Sequence, residues 1–198
     1  MTKIILISGP PGSGKDTAGN ILMELLPDRG YLEKFSGPLK AAIPAILNVP
    51  FSELERHKDV PINSYTSLGI KQTFRQIQIS MSENWMKPLY GQDIFANLLI
   101  YRINQHNLLA EEYGADEPIA IVTDCGFQVE VGALLRRFTQ SNCLGIQLYR
   151  EGCTYEGDSR SRIVIPVQYT VHNNGSLENL KYQLAVILAE TERFKECK

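Results

Sequence analysis

Long apolar runs are missing from this chain: Ile4–Ile7 stops at Ser8 and Gly9, short of a signal-peptide core and of the roughly 20 residues that cross a bilayer. That absence predicts a protein with no membrane contact, placed in the cytoplasm, or in the host cytoplasm if the chain is viral. Cysteine is sparse and scattered. Cys125, Cys143, Cys153 and Cys197 form no C-x-x-C pair and no Cys/His set at zinc-ligand spacing, which excludes a zinc finger or ribbon and leaves buried or idle thiols. His57, His106 and His172 show no partner spacing and read as surface residues. Charge of either sign is not in excess: the net value of −2 does not suggest a broad basic surface that coats duplex DNA, although a local basic funnel is compatible with it. No repeat and no low-complexity tract interrupts the 198 residues, a length that suits one α/β domain better than two independent cores.

What is present alternates between two periods. Ile4–Ile7 is a continuous apolar run, as a strand buried on both faces requires. Ala18, Ile21, Leu22, Leu25 and Leu26 follow at helical spacing, and Pro27 with Gly30 closes the segment. Tyr31–Phe35 predicts a second strand, and Ser36 with Pro38 opens a helix carrying Leu39, Ala42, Ile43 and Ile46. Residues 48–69 read as an irregular insertion with room for one short helix. Helices are then predicted over 70–85 and 93–113, the second with Ile94, Leu98, Tyr101 and Leu108 on its apolar side. Strands at 119–122, 144–149 and 164–171, a helix at 127–138, and a last helix at 176–194 with Leu177, Leu180, Leu184, Ile187 and Leu188 inward complete the pattern. Such alternation predicts an α/β fold with a parallel sheet and helices on both faces.

The stretch Gly9-Pro10-Pro11-Gly12-Ser13-Gly14-Lys15-Asp16-Thr17 matches G-x-x-x-x-G-K between the first strand and the first helix. Glycines let the backbone curl with its N–H groups inward, and the helix adds the positive end of its dipole, so the loop is suited to the phosphates of ATP. The whole stretch is therefore the expected ATP-binding segment. Lys15 is expected to neutralise the phosphate oxygens. Asp16 stands where the pattern has Ser or Thr, and the hydroxyl for Mg²⁺ comes one residue later, at Thr17, with Ser13 as the alternative. Asp124 ends an apolar strand that should lie parallel to the first, which brings its carboxylate to the same sheet edge as a second metal-holding group. Glu130 reads as a structural or solvated charge. Asn173-Asn174-Gly175 joins the last strand to the last helix, where its backbone could meet an adenine base or simply form a turn with Ser176 as helix cap.

Gly-Pro-Pro-Gly-x-Gly-Lys resembles the loop of adenylate kinase and its relatives, and the Gly-Lys-Asp-Thr ending is similar to that of phage deoxynucleoside monophosphate kinases. Phe35-Ser36-Gly37-Pro38-Leu39-Lys40, Arg75-Gln76-Ile77-Gln78, and the strand ending in Asp124 with Phe127 and Glu130 beyond it extend the likeness as short ordered blocks over most of the chain. The resemblance implies the three-layer fold of P-loop NTPases in one domain, residues 1–198, with a helical acceptor region at about 36–113 and a short lid at about 150–164. It implies a nucleotide kinase that uses ATP and Mg²⁺ to convert a dNMP to a dNDP, in deoxynucleotide metabolism. Lys40, Arg75, Gln78, Trp85 and Asp124 would meet the acceptor, Arg75 at its phosphate, Gln78 at a base edge and Trp85 by stacking, if Trp85 is not simply core. Arg150, Arg160 and Arg162 bracket the lid, and Arg160 and Arg162, with Lys15 and Asp16, would form the catalytic set.

Related phage kinases that phosphorylate the hydroxyl of a 5-hydroxymethylpyrimidine, such as 5-hydroxymethyluracil, share the resemblance. In that reading DNA is the acceptor, the reaction is a DNA modification, and Asp16 is the general base. The chain departs from the phage kinases at Gly126, where they commonly carry Arg, and lacks their Asp-x-His-x-Ser-Glu segment. A nucleotide-dependent switch ranks below both kinases, because no Asn-Lys-x-Asp base-reading motif occurs. A homodimer stays open.

Overall fold

In the computed structural model, which describes residues 3–158, 160–166 and 168–191, the apolar runs become five strands: β1 (Lys3–Ser8), β2 (Gly30–Glu33), β3 (Ile119–Cys125), β4 (Cys143–Tyr149) and β5 (Gln168–His172). All pairings are parallel and the order is β2-β3-β1-β4-β5, with Ile5 of β1 opposite Ile121 of β3 and Leu144 of β4. A parallel sheet needs crossover connections that are right-handed almost without exception. For this strand order the rule puts helix α1 (Lys15–Leu25) on one face and the next connections on the other.

Ile5, Ile7, Ile119, Ile121, Leu144, Ile146 and Leu148 pack with Ala18, Ile21 and Leu22 of α1 and with Leu180, Leu184 and Ile187 from the last helix of the chain. Each isoleucine or leucine among them, fully buried, contributes about 1.5–3 kcal/mol. The alternate set, Ile4, Leu6, Ala120 and Val122, is equally buried, so the second face is covered as well. Part of that cover is the connection from β4 to β5: a Cβ added at Gly145 would lie 2.8–2.9 Å from atoms of Ile165, which with Ile163 is buried. This is the three-layer α/β arrangement expected from the alternating pattern.

The remaining helices in chain order are α2 (Gly37–Leu47), α3 (Phe51–Arg56), α4 (Phe74–Met81), α5 (Lys87–Tyr90), α6 (Ile94–Glu112), α7 (Gln128–Phe138) and α8 (Leu177–Glu190), with short 3₁₀ turns at Ile62–Ser64 and Gln140–Asn142 and a π turn at Ser82–Met86. The chain packs as two compact units, one running up to Phe35 and resuming at Ala96, the other Ser36–Phe95. The second unit has its own small core of Leu39, Ile43, Leu54, Ile62 and Phe74. Its α4 begins with a capping box, in which Thr73 Oγ1 accepts from Gln76 N and Gln76 Oε1 accepts from Thr73 N.

Several expectations change. The buried side of α6 is Phe95, Ala96, Leu99 and Ile103, while Tyr101 and Leu108 are exposed. The two stripes differ by about one residue, and in an apolar-rich segment periodicity alone does not choose between them. The last strand starts at Gln168 and Val164 faces solvent, because the chain before it lies over the second face as an extended connection. Leu177 is exposed in the first turn of α8, which ends at Glu190; Phe194 lies outside the described residues, as does Cys197. Trp85, which had a core alternative, is half exposed. Among the described residues no helix is long and apolar enough to cross a membrane.

Candidate functional site

The turn out of β1 depends on glycine at two points. Gly12 (φ 77°) and Gly14 (φ 96°) have left-handed backbone conformations, and a Cβ at Gly14 would overlap the Asn173 side-chain amide. Gly14 is the N-cap of α1 and no side chain caps the helix, so its first N–H groups are left to bind an anion. Inside the turn, Ser13 is fully buried and its Oγ finds no hydrogen-bond partner among the described residues. A Cβ at Gly9 would lie 2.6 Å from that oxygen. A buried hydroxyl without a partner costs roughly 1–3 kcal/mol, which a phosphate oxygen accepting its proton would offset.

Lys15 Nζ donates to the carbonyls of Gly9 and Pro10, both at 2.8 Å. Burial, and next the charge of Arg160, lower its pKa to about 8, against the opposing pull of Asp16, Asp158 and Asp124. A phosphate chain in the loop would reverse that shift. Two other residues hold the loop from outside: Asn173 Nδ2 donates to Ser13 O at 2.9 Å, and Arg150 donates to Gly12 O at 3.3 Å. Asn174 Oδ1 accepts from Glu151 N at 2.8 Å, so the Asn173-Asn174-Gly175 turn ties the loop to the start of the β4–β5 connection through side chains.

Asp16 is held on its sheet side. Its Oδ1 accepts from Thr123 Oγ1 at 2.9 Å and from Lys34 Nζ at 2.7 Å. Lys34 is set in turn by Arg102 of α6, which donates to Lys34 O at 2.6 Å and to Glu33 Oε2 at 2.9 Å. Neither Thr123 nor Lys34 was anticipated, and nothing local to Asp16 in the sequence points to them. Asp124, one residue past Thr123, accepts from Phe35 N at 2.8 Å, and its charge acts on both Lys15 and Arg160. Glu130 is buried, in keeping with a structural charge. Burial pushes the Cys125 thiol well up, with Asp124 and Glu130 adding to the effect, so it is an inert thiol.

The arginines expected to act together have different partners. Arg160 is clamped by Asp158, whose carboxylate accepts from Arg160 N at 2.9 Å, Nε at 2.8 Å and a terminal nitrogen at 2.6 Å; that hydrogen bonding, ahead of the opposing effect of burial, raises its pKa. Arg162 is exposed, with its guanidinium 5.9 Å from the Tyr149 ring centroid. Asp158 was not anticipated either, although its place two residues before Arg160 is a signal for such a clamp.

In the second unit, Arg75 Nε donates to Asp59 Oδ1 at 2.5 Å, and this hydrogen bond holds the Asp59 carboxyl below its usual range. Lys40 donates to both oxygens of Glu55 at 3.1 Å. Gln78 Nε2 is buried and finds no hydrogen-bond partner among the described residues. Trp85 sits on the π turn with half its surface in solvent.

No group of three or more His, Cys, Asp or Glu side chains gathers as a metal cluster among the described residues. A divalent ion would here depend on one hydroxyl, one carboxylate and the oxygens of a phosphate chain, which suits Mg²⁺, an ion that keeps several of its waters. Exposed Thr17 in the first turn of α1 and Asp124 at the end of β3 fit that donor set.

No family model matches the chain, and no curated protein does. Among solved structures it is similar to a dephospho-CoA kinase from Campylobacter jejuni (13% identity, TM-score 0.47, covering 99% of this chain and 100% of that one). It is also similar to a shikimate kinase from Aquifex aeolicus (15%, 0.43, 98% and 99%) and to an unliganded sugar kinase from Janibacter sp. (11%, 0.44, 96% and 95%).

Proposed function

We propose that this chain transfers the γ-phosphoryl group of ATP to a nucleotide, in the first place a deoxynucleoside monophosphate. One observation carries the reading: a glycine-built loop with an inward, unpartnered Ser13 hydroxyl and Lys15 at its mouth, in the electrostatic field of Asp124 and Arg160. Phosphoryl transfer needs positioning and charge neutralisation far more than covalent help, and these residues supply both. The loop amides and Ser13 hold the phosphate chain. Lys15 exchanges the Gly9 and Pro10 carbonyls for phosphate oxygens and keeps its proton there. Thr17 and Asp124 would hold Mg²⁺, which when bound would neutralise charge on the phosphates. Arg160 donates to the phosphoryl group in transfer, where a planar fork matches its oxygens.

The choice of acceptor is supported by Asp16. Its carboxylate accepts from Thr123 and Lys34, an arrangement that orders the helix start and the strand ends. A phosphate monoester has a second pKa of about 6, so its oxygen is already a nucleophile at neutral pH and needs no base. In the resemblance-based assignment Arg75 takes the acceptor phosphate, Gln78 a base edge, Trp85 a base face, and Lys40 supports the acceptor charge.

Incubating the protein with γ-labelled ATP, Mg²⁺ and separate dNMPs, NMPs and DNA containing 5-hydroxymethyluracil tests the reading directly. Label on a dNMP is the expected result. Label on the modified DNA alone would replace the dNMP with a hydroxyl acceptor, and release of phosphate to water with none of them would remove the kinase reading.

A further inference from the structure

We propose that Gly126 is the seat of Arg160: the missing side chain at 126 lets the stem of Arg160 lie across the end of β3 while Asp158 holds its guanidinium. The inference rests on the phosphotransferase reading only for what Arg160 does there; the seat itself stands on geometry.

A Cβ built at Gly126 would lie 2.5 Å from both Cγ and Cδ of Arg160 and 2.7 Å from its Cβ. Side chains can swing their far ends out of a collision, but a Cβ moves only with the main chain. That main chain is pinned, because Ser161 N donates to Gly126 O at 3.0 Å. The collision can therefore be relieved only by shifting the main chain at Gly126 and at Arg160 relative to one another, against that hydrogen bond. Glycine is not required here by backbone conformation: Gly126 is absent from the residues with positive φ, unlike Gly12 and Gly14. Space is the one thing glycine offers at this position.

What the space admits is an arginine held from three sides. Asp158 accepts from its main-chain N–H and from Nε and one terminal nitrogen along one edge of its guanidinium, Gly126 makes room for its stem, and Lys15 and Asp124 feel its charge. Such fixing makes Arg160 a preorganised donor, and preorganised donors need no rearrangement when charge develops in transfer. Arg162, two residues on, has no such seat and lies over Tyr149. Gly126 is thus a positioning residue acting through Arg160.

The test is a double-mutant cycle with Gly126→Ala, Arg160→Gly and the pair, followed by thermal unfolding and by kcat and KM with whichever acceptor takes label from γ-labelled ATP. Arg160→Gly should lower kcat on the order of 10²-fold with little change in KM. Gly126→Ala should lower kcat at least tenfold and lower Tm, and the pair should be no slower than Arg160→Gly and melt higher than Gly126→Ala, since removing the whole side chain, Cβ included, removes the collision. Wild-type kcat and Tm in Gly126→Ala overturn the proposal. So does a pair whose losses in kcat and Tm are the full sum of the two single changes. If Gly126→Ala does not fold, recovery of folding in the pair supports the seat and failure of the pair to fold overturns it. If wild-type protein transfers phosphate to no acceptor, the phosphotransferase reading fails, while the melting temperatures still decide the seat by themselves.

Discussion

The phosphate loop and the helical unit Ser36–Phe95 hold their candidate groups by different means. In the loop, main chain does most of the holding: two left-handed glycines, the uncapped start of α1, and a lysine resting on two carbonyls. In the helical unit, the candidates are side chains engaged with other side chains, Arg75 with Asp59 and Lys40 with Glu55, both partly in solvent. The first arrangement presents its main-chain N–H groups whatever the surrounding charges do. In the second, Arg75 is already paired with Asp59, so if it takes the acceptor phosphate as proposed, that phosphate must displace a carboxylate first. The loop leaves donors open, and the helical unit pairs its candidates with its own acids.

The contrast is broken most severely at Lys15. Lys15→Ala should lower turnover on the order of 10²- to 10³-fold while leaving Tm within a few degrees of wild type, because the side chain meets loop carbonyls and not core. A folded variant with wild-type turnover would remove the loop from the site.

Titration gives the next largest effect. Lys15 in the free protein has a pKa of about 8, and a bound phosphate chain favours its charged form and so raises that value. Affinity is then fully present below about 8 and falls as pH rises, by up to roughly tenfold per unit until the raised pKa of the complex is reached. Calorimetry with tripolyphosphate in EDTA from pH 6.5 to 9.5 should show this fall together with proton uptake. A flat profile would show that Lys15 does not meet the phosphates.

Asp16 lies between the two modes of holding, a residue of the first turn of α1 tied by side chains. With a dNMP acceptor, Asp16→Asn should cost less than tenfold in kcat, whereas removing a true general base costs roughly 10²- to 10⁴-fold. Rate profiles against pH for the variant and wild type separate the cases, since loss of the acidic limb accompanies loss of a base. A large defect with a proven dNMP acceptor would mean that the Thr123 and Lys34 contacts poise the carboxylate for catalysis.

The smallest effect should come from the acceptor side. An exposed ion pair such as Arg75–Asp59 is worth about 0–1 kcal/mol, so Asp59→Asn should barely move Tm. If Arg75 binds the acceptor phosphate, the same change should lower KM for the dNMP several-fold by at most that energy, with kcat unchanged. An unchanged KM would take Arg75 out of acceptor binding.

How far these features were legible follows from how local they are. A continuous apolar run, the spacing of the glycines and a 3.6-residue period are properties of neighbouring residues, which is why β1, the loop and α1 can be read before any tertiary contact is known. The insertion at 48–69 was legible only as irregular: α3 there is six residues long and begins after Pro50, too short for a clear period. The wrong side of α6 has a related cause, since two adjacent stripes carry apolar residues and only packing selects between them.

By itself the amino-acid sequence determined a parallel α/β chain with a phosphate loop ending in Lys15, because backbone conformation at glycines and burial of unbroken apolar runs are decided within a few residues. Tertiary structure alone decided what Asp16 is bonded to, which of two nearby arginines is held near Lys15, and why position 126 is glycine. Thr123 lies 107 residues from Asp16 and Lys34 lies 18 away, and Arg160 meets Gly126 across the end of a strand formed long before it in the chain. Hydrogen bonds and collisions act over about 3 Å, and only the order β2-β3-β1-β4-β5 brings these residues within that range.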